Sequence, residues 1–184
     1  AAEQGADRLT SLVTNLLDMN RLQTGAVKPL ERPTVIEEVV QRAIGGLPPS
    51  EVVSEVGEDL PAVYTDPALL ERILANVIEN AARQASGGVP VRVLAGEISE
   101  PERHVDIRVV DQGPGVPVAQ RGEIFEPFLR SGDHKHAQAG GVGLGLAVAA
   151  GLAQLIGAKI DVEDTPGGGL TMVVSVPVKR GESQ

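Results

Sequence analysis

The sequence predicts a two-layer α/β sandwich, in which helices cover one face of a mixed β-sheet. Three observations support this fold class. Apolar residues recur at helical spacing in several segments, they alternate with a period of two in several others, and short turns link most of the alternating segments as in hairpins. Helices and mostly hairpin-linked strands in this order favour a sheet with its helices on one side.

The composition limits the core, the partners and the kinds of site. An apolar content of 42% supports one core, and with only 2% aromatic residues that core must be packed by Val, Leu, Ile and Ala. The net charge of −9 argues against a general nucleic-acid binder, which needs a basic surface. The absence of cysteine excludes disulfides and thiolate metal sites. No apolar run is long enough to span a membrane and no leader-like segment opens the chain, so we expect a soluble chain, and we favour the cytoplasm as its location.

Two helices are predicted in the first quarter of the chain. Apolar residues at helical spacing predict an amphipathic helix over residues 8–24, and Gly25 stands where a helix end favours a left-handed residue. A second helix is predicted over residues 35–46. Thr34 is expected to cap it, with Glu37 three residues later completing a capping box.

A long helix follows two short strand-like segments. The segments are EVVSEV at residues 51–56 and AVYT at residues 62–65. Asp66 is a good N-cap residue, and Pro67 suits the first helical position because its missing N–H has no partner there anyway. We therefore expect a helix over residues 67–85.

The second half of the chain combines period-two patterning with a glycine-rich region and one more helix. The turn between the first two strands lies near Pro101. The predicted elements are strands over residues 89–98 and 103–111, a Gly- and Pro-rich stretch over 113–141, a helix over 143–156, and strands over 159–164 and 169–178.

The long helix carries a polar stripe. At ~100° per residue, its members lie within about 60° of Asn76 on the helix surface. A solvated helix face is one interpretation. Two asparagines four residues apart favour another, because Asn is a poor helix-interior residue and its amide oxygen is a ligand suited to Mg²⁺. The stripe consists of Arg72, Asn76, Glu79, Asn80 and Arg83.

An aspartate ends the strand in VDIRVVDQGPGV. The carboxylate of Asp111, fixed at a strand end, can accept a hydrogen bond from an exocyclic amine, which would select adenine over guanine. Gly113 and Gly115 would let the backbone turn and approach a flat ring closely. An ordinary turn is the alternative, because Asp and Gly-Pro-Gly are common turn formers.

The stretch GGVGLGLAVA at residues 140–149 runs from glycines into a helix. A Walker loop is excluded because Leu146 and Ala147 follow Gly145 where Lys and Ser or Thr are required. The dinucleotide fingerprint is excluded because HKHAQA before it is not a strand. The remaining interpretations are an anion site at a helix N-terminus and a glycine-rich cap of a structural helix.

Taken in order, Asn76 and Asn80 on a helix, DQGPG, FEPF and GGVGLGL resemble the N, G1, F and G2 boxes of the histidine-kinase ATP-binding domain, which has the Bergerat fold. The resemblance spans residues 31–178. TSLVTNLLDMNRLQTGAVKP resembles the second helix of the kinase dimerisation hairpin. This segment and EDTPGGGLTMVVSVP are most similar to the potassium-responsive, Kdp-type sensor kinases. The resemblance implies a hairpin remnant and linker over 1–29, a catalytic domain over 30–180 and a tail over 181–184.

The resemblance also implies roles for the site residues. Asn80 would hold Mg²⁺ bridging the triphosphate of ATP, with Asn76 beside it on phosphate or water. Glu79 would be the base that polarises an incoming histidine. Asp111 would bind the adenine amine, and Arg130, after FEPF, would reach the γ-phosphate from a lid that spans about residues 117–139.

Further ATP contacts follow from the same resemblance. Backbone amides at the glycines of the G2-like stretch would meet the phosphates. One departure is NAARQAS, in which Arg83 stands where such kinases often have a lysine, and Gln84 where they often have an aromatic residue. The remaining residues expected to contact ATP are Arg83, Gly113, Gly115, Gly141, Gly143, Leu144, Gly145 and Thr171.

The resemblance implies a protein-histidine kinase that takes the γ-phosphate from ATP to a histidine and then to a response regulator, in potassium or osmotic sensing. We expect the acceptor histidine to lie outside this chain, because His104 is in a strand and His134 and His136 are in the lid. The expected partners are its own dimerisation domain, a response regulator and a second copy, in a parent protein anchored in the inner membrane. For His134 and His136, a solvated lid is favoured over a metal site.

Two alternatives remain open. One is a nucleotide-gated interaction module that binds ligand without transferring phosphate, which the altered ARQAS segment favours. The other is an ATPase of the gyrase, heat-shock and mismatch-repair type, which shares the fold. The FEPF element and the upstream helix count against that second alternative.

Overall fold

A computed structural model describes residues 2–85, 87–128 and 143–178 of the chain. Within these ranges, no helix is both long and apolar enough to cross a membrane. Two short 3₁₀ turns, Val118–Gln120 and Glu123–Phe125, lie in the loop after the fifth strand. The main elements are α1 (Ala2–Gln23), β1 (Arg32–Thr34), α2 (Ile36–Ile44), β2 (Val52–Glu55), β3 (Val63–Thr65), α3 (Pro67–Gln84), β4 (Val91–Ile98), β5 (His104–Val110), α4 (Gly145–Leu155), β6 (Lys159–Asp164) and β7 (Leu170–Pro177).

The main sheet has five strands in the order β2-β4-β5-β7-β6. Strands β2 and β4 are parallel, and the other neighbouring pairs are antiparallel. One row of the register places Val93, Val109 and Met172 side by side, and all three side chains are buried. The predicted mixed sheet is therefore confirmed.

Helices α2, α3 and α4 pack on the face of the sheet that carries this buried row. Their apolar side chains and the inward residues of the strands form one cluster. Alternation along β7 shows which face is which, because Leu170, Met172, Val174 and Val176 belong to the cluster and the residues between them do not. Helices on one face of a mixed sheet make the predicted two-layer α/β sandwich.

Strands β1 and β3 form a separate two-stranded antiparallel sheet, which the sequence does not predict. AVYT is indeed a strand, Val63–Thr65, but its partner is Arg32–Thr34 rather than a strand of the main sheet. A three-residue strand with a proline at its centre gives no period-two signal of its own. Its position depends on the distant segment with which it pairs.

The prediction that Thr34 caps the second helix is wrong. The residue before the first turn of α2 is Val35, and no side chain caps this end. Thr34 instead ends β1, where its buried hydroxyl donates to the carbonyl oxygen of Arg32 at 2.9 Å. Strand pairing with Val63 therefore fixes Thr34 in an extended conformation, one residue too early to serve the helix.

Asp66 caps α3, as the sequence predicts. Its Oδ1 accepts hydrogen bonds from the backbone N–H groups of Ala68 at 2.9 Å and Leu69 at 3.1 Å, and Pro67 is the first helical residue. Its Oδ2 accepts a third hydrogen bond from the N–H of Leu30 at 2.7 Å. One carboxylate thus starts the long helix and fastens the segment that follows α1.

Candidate functional site

Three predicted site segments meet along α3. The loop after β5 lies against the C-terminal end of the helix, where a Cβ on Gly113 would be 2.5 Å from the carbonyl oxygen of Gln84. The start of α4 lies against its middle, where a Cβ on Gly145 would be 3.1 Å from Oδ1 of Asn76. The polar stripe, the aspartate loop and the glycine-rich helix start therefore border one region.

Asp111 is buried and held by backbone groups. Its Oδ1 accepts hydrogen bonds from the N–H groups of Gly113 at 2.8 Å and Leu170 at 3.1 Å. Its own N–H donates to the carbonyl oxygen of Leu170 at 3.0 Å. Among the described residues, no hydrogen bond to Oδ2 is found. The carboxylate is thus oriented by one oxygen, and the other is available to a donor from outside.

Glycines allow the backbone to fold closely around Asp111. Gly115 has a φ of +70°, in the left-handed region, and a Cβ there would lie 3.2 Å from the carbonyl oxygen of Gly169. Gly169 itself has a φ of +112°, and a Cβ on it would lie 2.1 Å from the carbonyl oxygen of Asp111. The site prediction omits Gly169. The run TPGGG is the signal for it, but that run is also typical of a simple turn.

The polar stripe of α3 is divided between two surroundings. Asn76 is buried, its Nδ2 donates to the carbonyl oxygen of Arg72 at 3.1 Å, and its Oδ1 faces the start of α4. A buried asparagine does not fit the interpretation of a solvated face. Asn80 is half-buried one turn later. Glu79 and Arg83 border a groove that they share with Leu47 and Glu51, on the side of α2 and β2.

At the start of α4, the backbone donors have no partner among the described residues. Gly143 has a φ of +73°, and Leu144, which is buried, precedes the first turn without a side-chain cap. The first N–H that bonds back to this end is that of Val148, which donates to the carbonyl oxygen of Leu144 at 2.9 Å. The N–H groups of the first turn therefore lack partners within the helix and form a suitable site for an anion.

Thr171 does not join the group around Asp111. It lies between Leu170 and Met172, whose side chains belong to the core, so strand alternation turns its side chain to the opposite face of the sheet. There its buried hydroxyl is 2.9 Å from the hydroxyl of Thr165. At this strand it is the backbone of Leu170, rather than the side chain of Thr171, that reaches Asp111.

Some predicted residues lie outside the described parts of the chain. These are Arg130 and Gly141 of the expected phosphate contacts, with His134 and His136 of the expected lid. The described chain stops at Phe128 and resumes at Gly143, and the N–H of Phe128 donates to the carbonyl oxygen of Gly143 at 3.1 Å. The two described residues on either side of this gap are thus in direct contact.

Comparison with protein families finds one model that matches most of the chain. Residues 65–180 match the family described as histidine kinase-, DNA gyrase B- and HSP90-like ATPase. The matched range begins at the end of β3 and includes α3, the Asp111 loop, α4 and the last two strands.

Among curated proteins, sensor proteins are similar over almost the whole chain. The sensor protein KdpD of Mycobacterium tuberculosis is 43% identical over 184 aligned residues, which cover 95% of this chain and 20% of that protein. The alginate biosynthesis sensor protein KinB of Pseudomonas aeruginosa is 35% identical over 182 residues, covering 96% of this chain and 29% of that protein. The chain thus spans about a fifth to a third of the length of these relatives.

Solved structures match the fold. Full-length ShkA in complex with AMPPNP superposes with a TM-score of 0.78 and 28% identity, covering 98% of this chain and 38% of that chain. The histidine kinase AdeS of Acinetobacter baumannii superposes with a TM-score of 0.72 and 20% identity, covering 95% of this chain and 81% of that chain, and this match concerns the fold alone.

Proposed function

Because the chain belongs to the family of histidine kinase-, DNA gyrase B- and HSP90-like ATPases, we propose that it binds ATP with Mg²⁺ as the catalytic domain of a sensor histidine kinase. The observation that carries this proposal is the buried carboxylate of Asp111, which two backbone N–H groups orient and whose second oxygen is open. Similarity to sensor proteins over nearly the whole chain supports the kinase in particular.

Asp111 would select the base. Because Oδ1 is already occupied by two N–H donors, Oδ2 is the oxygen that can accept from the exocyclic amine of adenine. Guanine presents a carbonyl oxygen at the corresponding position, which the carboxylate would repel. Gly113 and Gly115 let the loop pack closely against the end of α3 and against Gly169, and their lack of side chains would let a flat ring approach the backbone.

The start of α4 would hold the phosphates. The open N–H groups of its first turn and the positive end of the helix dipole both favour an anion. Gly143 and Gly145, with Gly141 from outside the described residues, would bring these amides close to the phosphate oxygens. Arg83 is exposed and would reach the phosphates only from the edge of the site.

The donor set on α3 fits Mg²⁺. The half-buried Asn80 would supply an amide oxygen to the ion, and the buried Asn76 would lie beside it on phosphate or water. Magnesium usually keeps several waters and shares its shell with substrate phosphates, so one or two protein oxygens are sufficient. When bound, the ion supplies neutralisation of the phosphate charge.

Glu79 would orient the acceptor histidine. Its carboxylate can accept a hydrogen bond from one imidazole N–H and so direct the other ring nitrogen at the γ-phosphorus. A nitrogen–phosphorus bond forms while the bond from the γ-phosphorus to its bridging oxygen breaks, and ADP leaves with that oxygen. Arg130, outside the described residues, would stabilise charge on the transferring group.

The proposal places the chain within a larger protein. Residues 1–29 would end a dimerisation hairpin whose histidine accepts the phosphate, residues 30–180 would form the catalytic domain, and residues 181–184 a tail. The phosphate would then pass to an aspartate of a response regulator. Similarity to the sensor protein KdpD supports a sensor kinase, and the Kdp-type resemblance of the sequence would make the whole protein a membrane-anchored homodimer that responds to potassium or osmotic conditions.

The test combines binding with transfer. ATP and GTP are titrated with and without Mg²⁺ against the native chain and the Asp111→Asn variant, and a separate dimerisation hairpin bearing a histidine is then added with γ-labelled ATP. We expect magnesium-dependent ATP binding and label on the hairpin. The Asp106→Asn variant, altered on β5 but away from the loop, serves as the control.

The other outcomes separate the alternatives. Binding without label on any hairpin would replace the kinase with the nucleotide-gated module. Steady release of phosphate without an acceptor would favour an ATPase of the gyrase and heat-shock type. If neither nucleotide changes the melting temperature at millimolar concentration with Mg²⁺ present, the proposal fails.

A further inference from the structure

Helix α1 packs against the catalytic domain at the start and middle of α4. Leu22 and Met19 are partly buried against the core, and a Cβ on Gly151 of α4 would lie 2.9 Å from Cδ1 of Leu22. Other apolar side chains of α1 remain exposed, including Leu9 and Leu16. One face of α1 therefore docks on α4, next to the region proposed for the phosphates.

Polar groups on the same face of α1 hold one arginine of α3. The guanidinium of Arg72 donates from Nε to Oδ2 of Asp18 at 2.9 Å and from Nη2 to Oδ1 of Asn15 at 3.2 Å. Asn15 is buried, and the Arg72 and Asp18 side chains are only 32% and 20% exposed. The ion pair is therefore less exposed to solvent than an ordinary surface salt bridge.

This arginine borders the proposed phosphate site. Arg72 lies one turn before Asn76, and its carbonyl oxygen accepts from the Asn76 amide. Asn15, which its guanidinium contacts, has its Nδ2 3.9 Å from the Cβ position of Gly145, the first residue of α4. The guanidinium is thus bound to a side chain that sits at the open helix end.

We propose that Arg72 binds phosphate when α1 is released, and that Asp18 and Asn15 compete with the nucleotide for its guanidinium. The inference rests on the proposed ATP binding and adds a residue and a form of regulation to that site. In the docked arrangement, Asp18 neutralises Arg72 and places a negative charge near the site. Both effects oppose a phosphate, and both end when α1 moves away.

Competition of this kind predicts opposite effects of the two partners. The Asp18→Asn variant removes the competing charge and frees Arg72, so its dissociation constant for Mg-ATP falls about threefold or more. The Arg72→Met variant removes the cation and leaves Asp18 unpaired, so its dissociation constant rises about fivefold or more. A simple structural clamp would weaken binding in both variants.

The dissociation constants are measured by isothermal titration calorimetry on the whole chain. Asp161→Asn on β6 and Arg42→Met on α2, which breaks an ion pair with Glu71, are the matched controls and stay within twofold of the native chain. Far-UV circular dichroism checks that each variant is folded. Arg72→Lys keeps the positive charge but lacks the planar guanidinium with its several N–H donors. We expect its affinity for Mg-ATP to lie between those of the native chain and Arg72→Met.

Hydrogen exchange gives an independent reading, because coupling between two binding events is reciprocal. In the native chain, Mg-ATP increases amide exchange in the C-terminal half of α1, and in Arg72→Met it does not. The inference is overturned if the dissociation constant for Mg-ATP changes in the same direction in Asp18→Asn and Arg72→Met, or if it changes in neither. In that case, ATP binding by the native chain still supports the proposed function. Absence of ATP binding by the native chain overturns both.

Discussion

The backbone at Gly169 lies against the carbonyl oxygen of Asp111, so closely that a Cβ at position 169 would be 2.1 Å from that oxygen. Two hydrogen bonds reinforce this contact. The N–H of Asp111 donates to the carbonyl oxygen of Leu170, and the N–H of Leu170 donates to Oδ1 of Asp111. The turn between β6 and β7 thus forms one wall of the aspartate loop. Its geometry determines where the open oxygen of Asp111 points.

The first prediction concerns this contact. Gly169→Ala forces the turn away from Asp111 and also places a side chain at a φ of +112°, so we expect a loss of about 2 kcal/mol or more in the free energy of unfolding. Urea denaturation measures it. Gly167→Ala is the control, because its φ of +92° is strained while no atom of the described residues lies within 4 Å of its Cβ position. Equal losses in the two variants would mean that the contact with Asp111 has no part in stability.

Local signals in the sequence predict the parts of the fold that depend on neighbouring residues. Asp66 and Pro67 start α3 because a cap and a first-turn proline act on the next few residues. The alternation in β4 and β5 predicts their buried faces for the same reason. These elements are found within about two residues of the predicted bounds.

Features that depend on distant segments are not visible in the sequence. Strand β1 exists because β3 pairs with it, and Thr34 fails as a cap because that pairing fixes it. The need for glycine at position 169 arises from Asp111, far away in the chain. The ion pair of Asp18 with Arg72 likewise requires α1 to dock on α4 beside α3, which no helix pattern indicates.

The second prediction tests how the base is chosen. In Asp111→Asn, the side-chain oxygen can still accept from Gly113 and Leu170, so the fold is kept, and an NH₂ group replaces the open oxygen. Because the side-chain NH₂ group would then face the exocyclic amine of adenine, two donors would meet and the hydrogen bond would be lost. We therefore expect ATP affinity to fall about tenfold or more. Competition titrations with ATP and GTP measure the selectivity. An equal fall for both nucleotides would show that Asp111 does not read the base.

The third prediction concerns acid stability at the edge of the sheet. The double hydrogen bond from Arg92 lowers the pKa of Glu55 below its usual value. Because the folded pKa is the lower one, the pair stabilises the protein above the ordinary carboxylate pKa, and this contribution is lost as pH falls through the folded pKa. Glu55→Gln should therefore be less stable than the native chain at neutral pH and equal to it in strong acid. Thermal melts from pH 7 to pH 2 measure the difference, and a gap that is independent of pH would contradict the pairing.

The fourth prediction concerns the carboxylate that starts α3. Asp66→Ala removes two cap bonds and the bond to Leu30, so we expect a loss of about 1–2 kcal/mol in the free energy of unfolding. Asp59→Ala, in the exposed loop before β3, is the control and should change stability by less than about 0.5 kcal/mol. Hydrogen exchange should also rise at Leu30. Unchanged exchange there would mean that the linker after α1 is held by other contacts.

The fifth prediction separates stability from binding at the start of α4. Alanine is a better helix residue than glycine by about 1 kcal/mol, but a Cβ on Gly145 would lie 3.1 Å from Oδ1 of Asn76. Asn76 cannot move away easily, because it is buried and its amide is tied to the carbonyl oxygen of Arg72. We expect Gly145→Ala to leave the melting temperature within a few degrees of the native value and to weaken Mg-ATP binding severalfold.

Calorimetric titration and thermal melts of the same Gly145→Ala sample measure the two effects together. Gly46→Ala is the matched control, because no atom in the described part of the chain lies within 4 Å of its Cβ position and because it lies beyond α2, away from the site. The Cβ of the Gly145→Ala variant crowds Oδ1 of Asn76, which we place beside the phosphates. A loss of Mg-ATP affinity without a loss of stability would therefore indicate that Asn76 takes part in binding. Native affinity in Gly145→Ala would instead show that this face of α4 is structural and that the phosphates bind elsewhere.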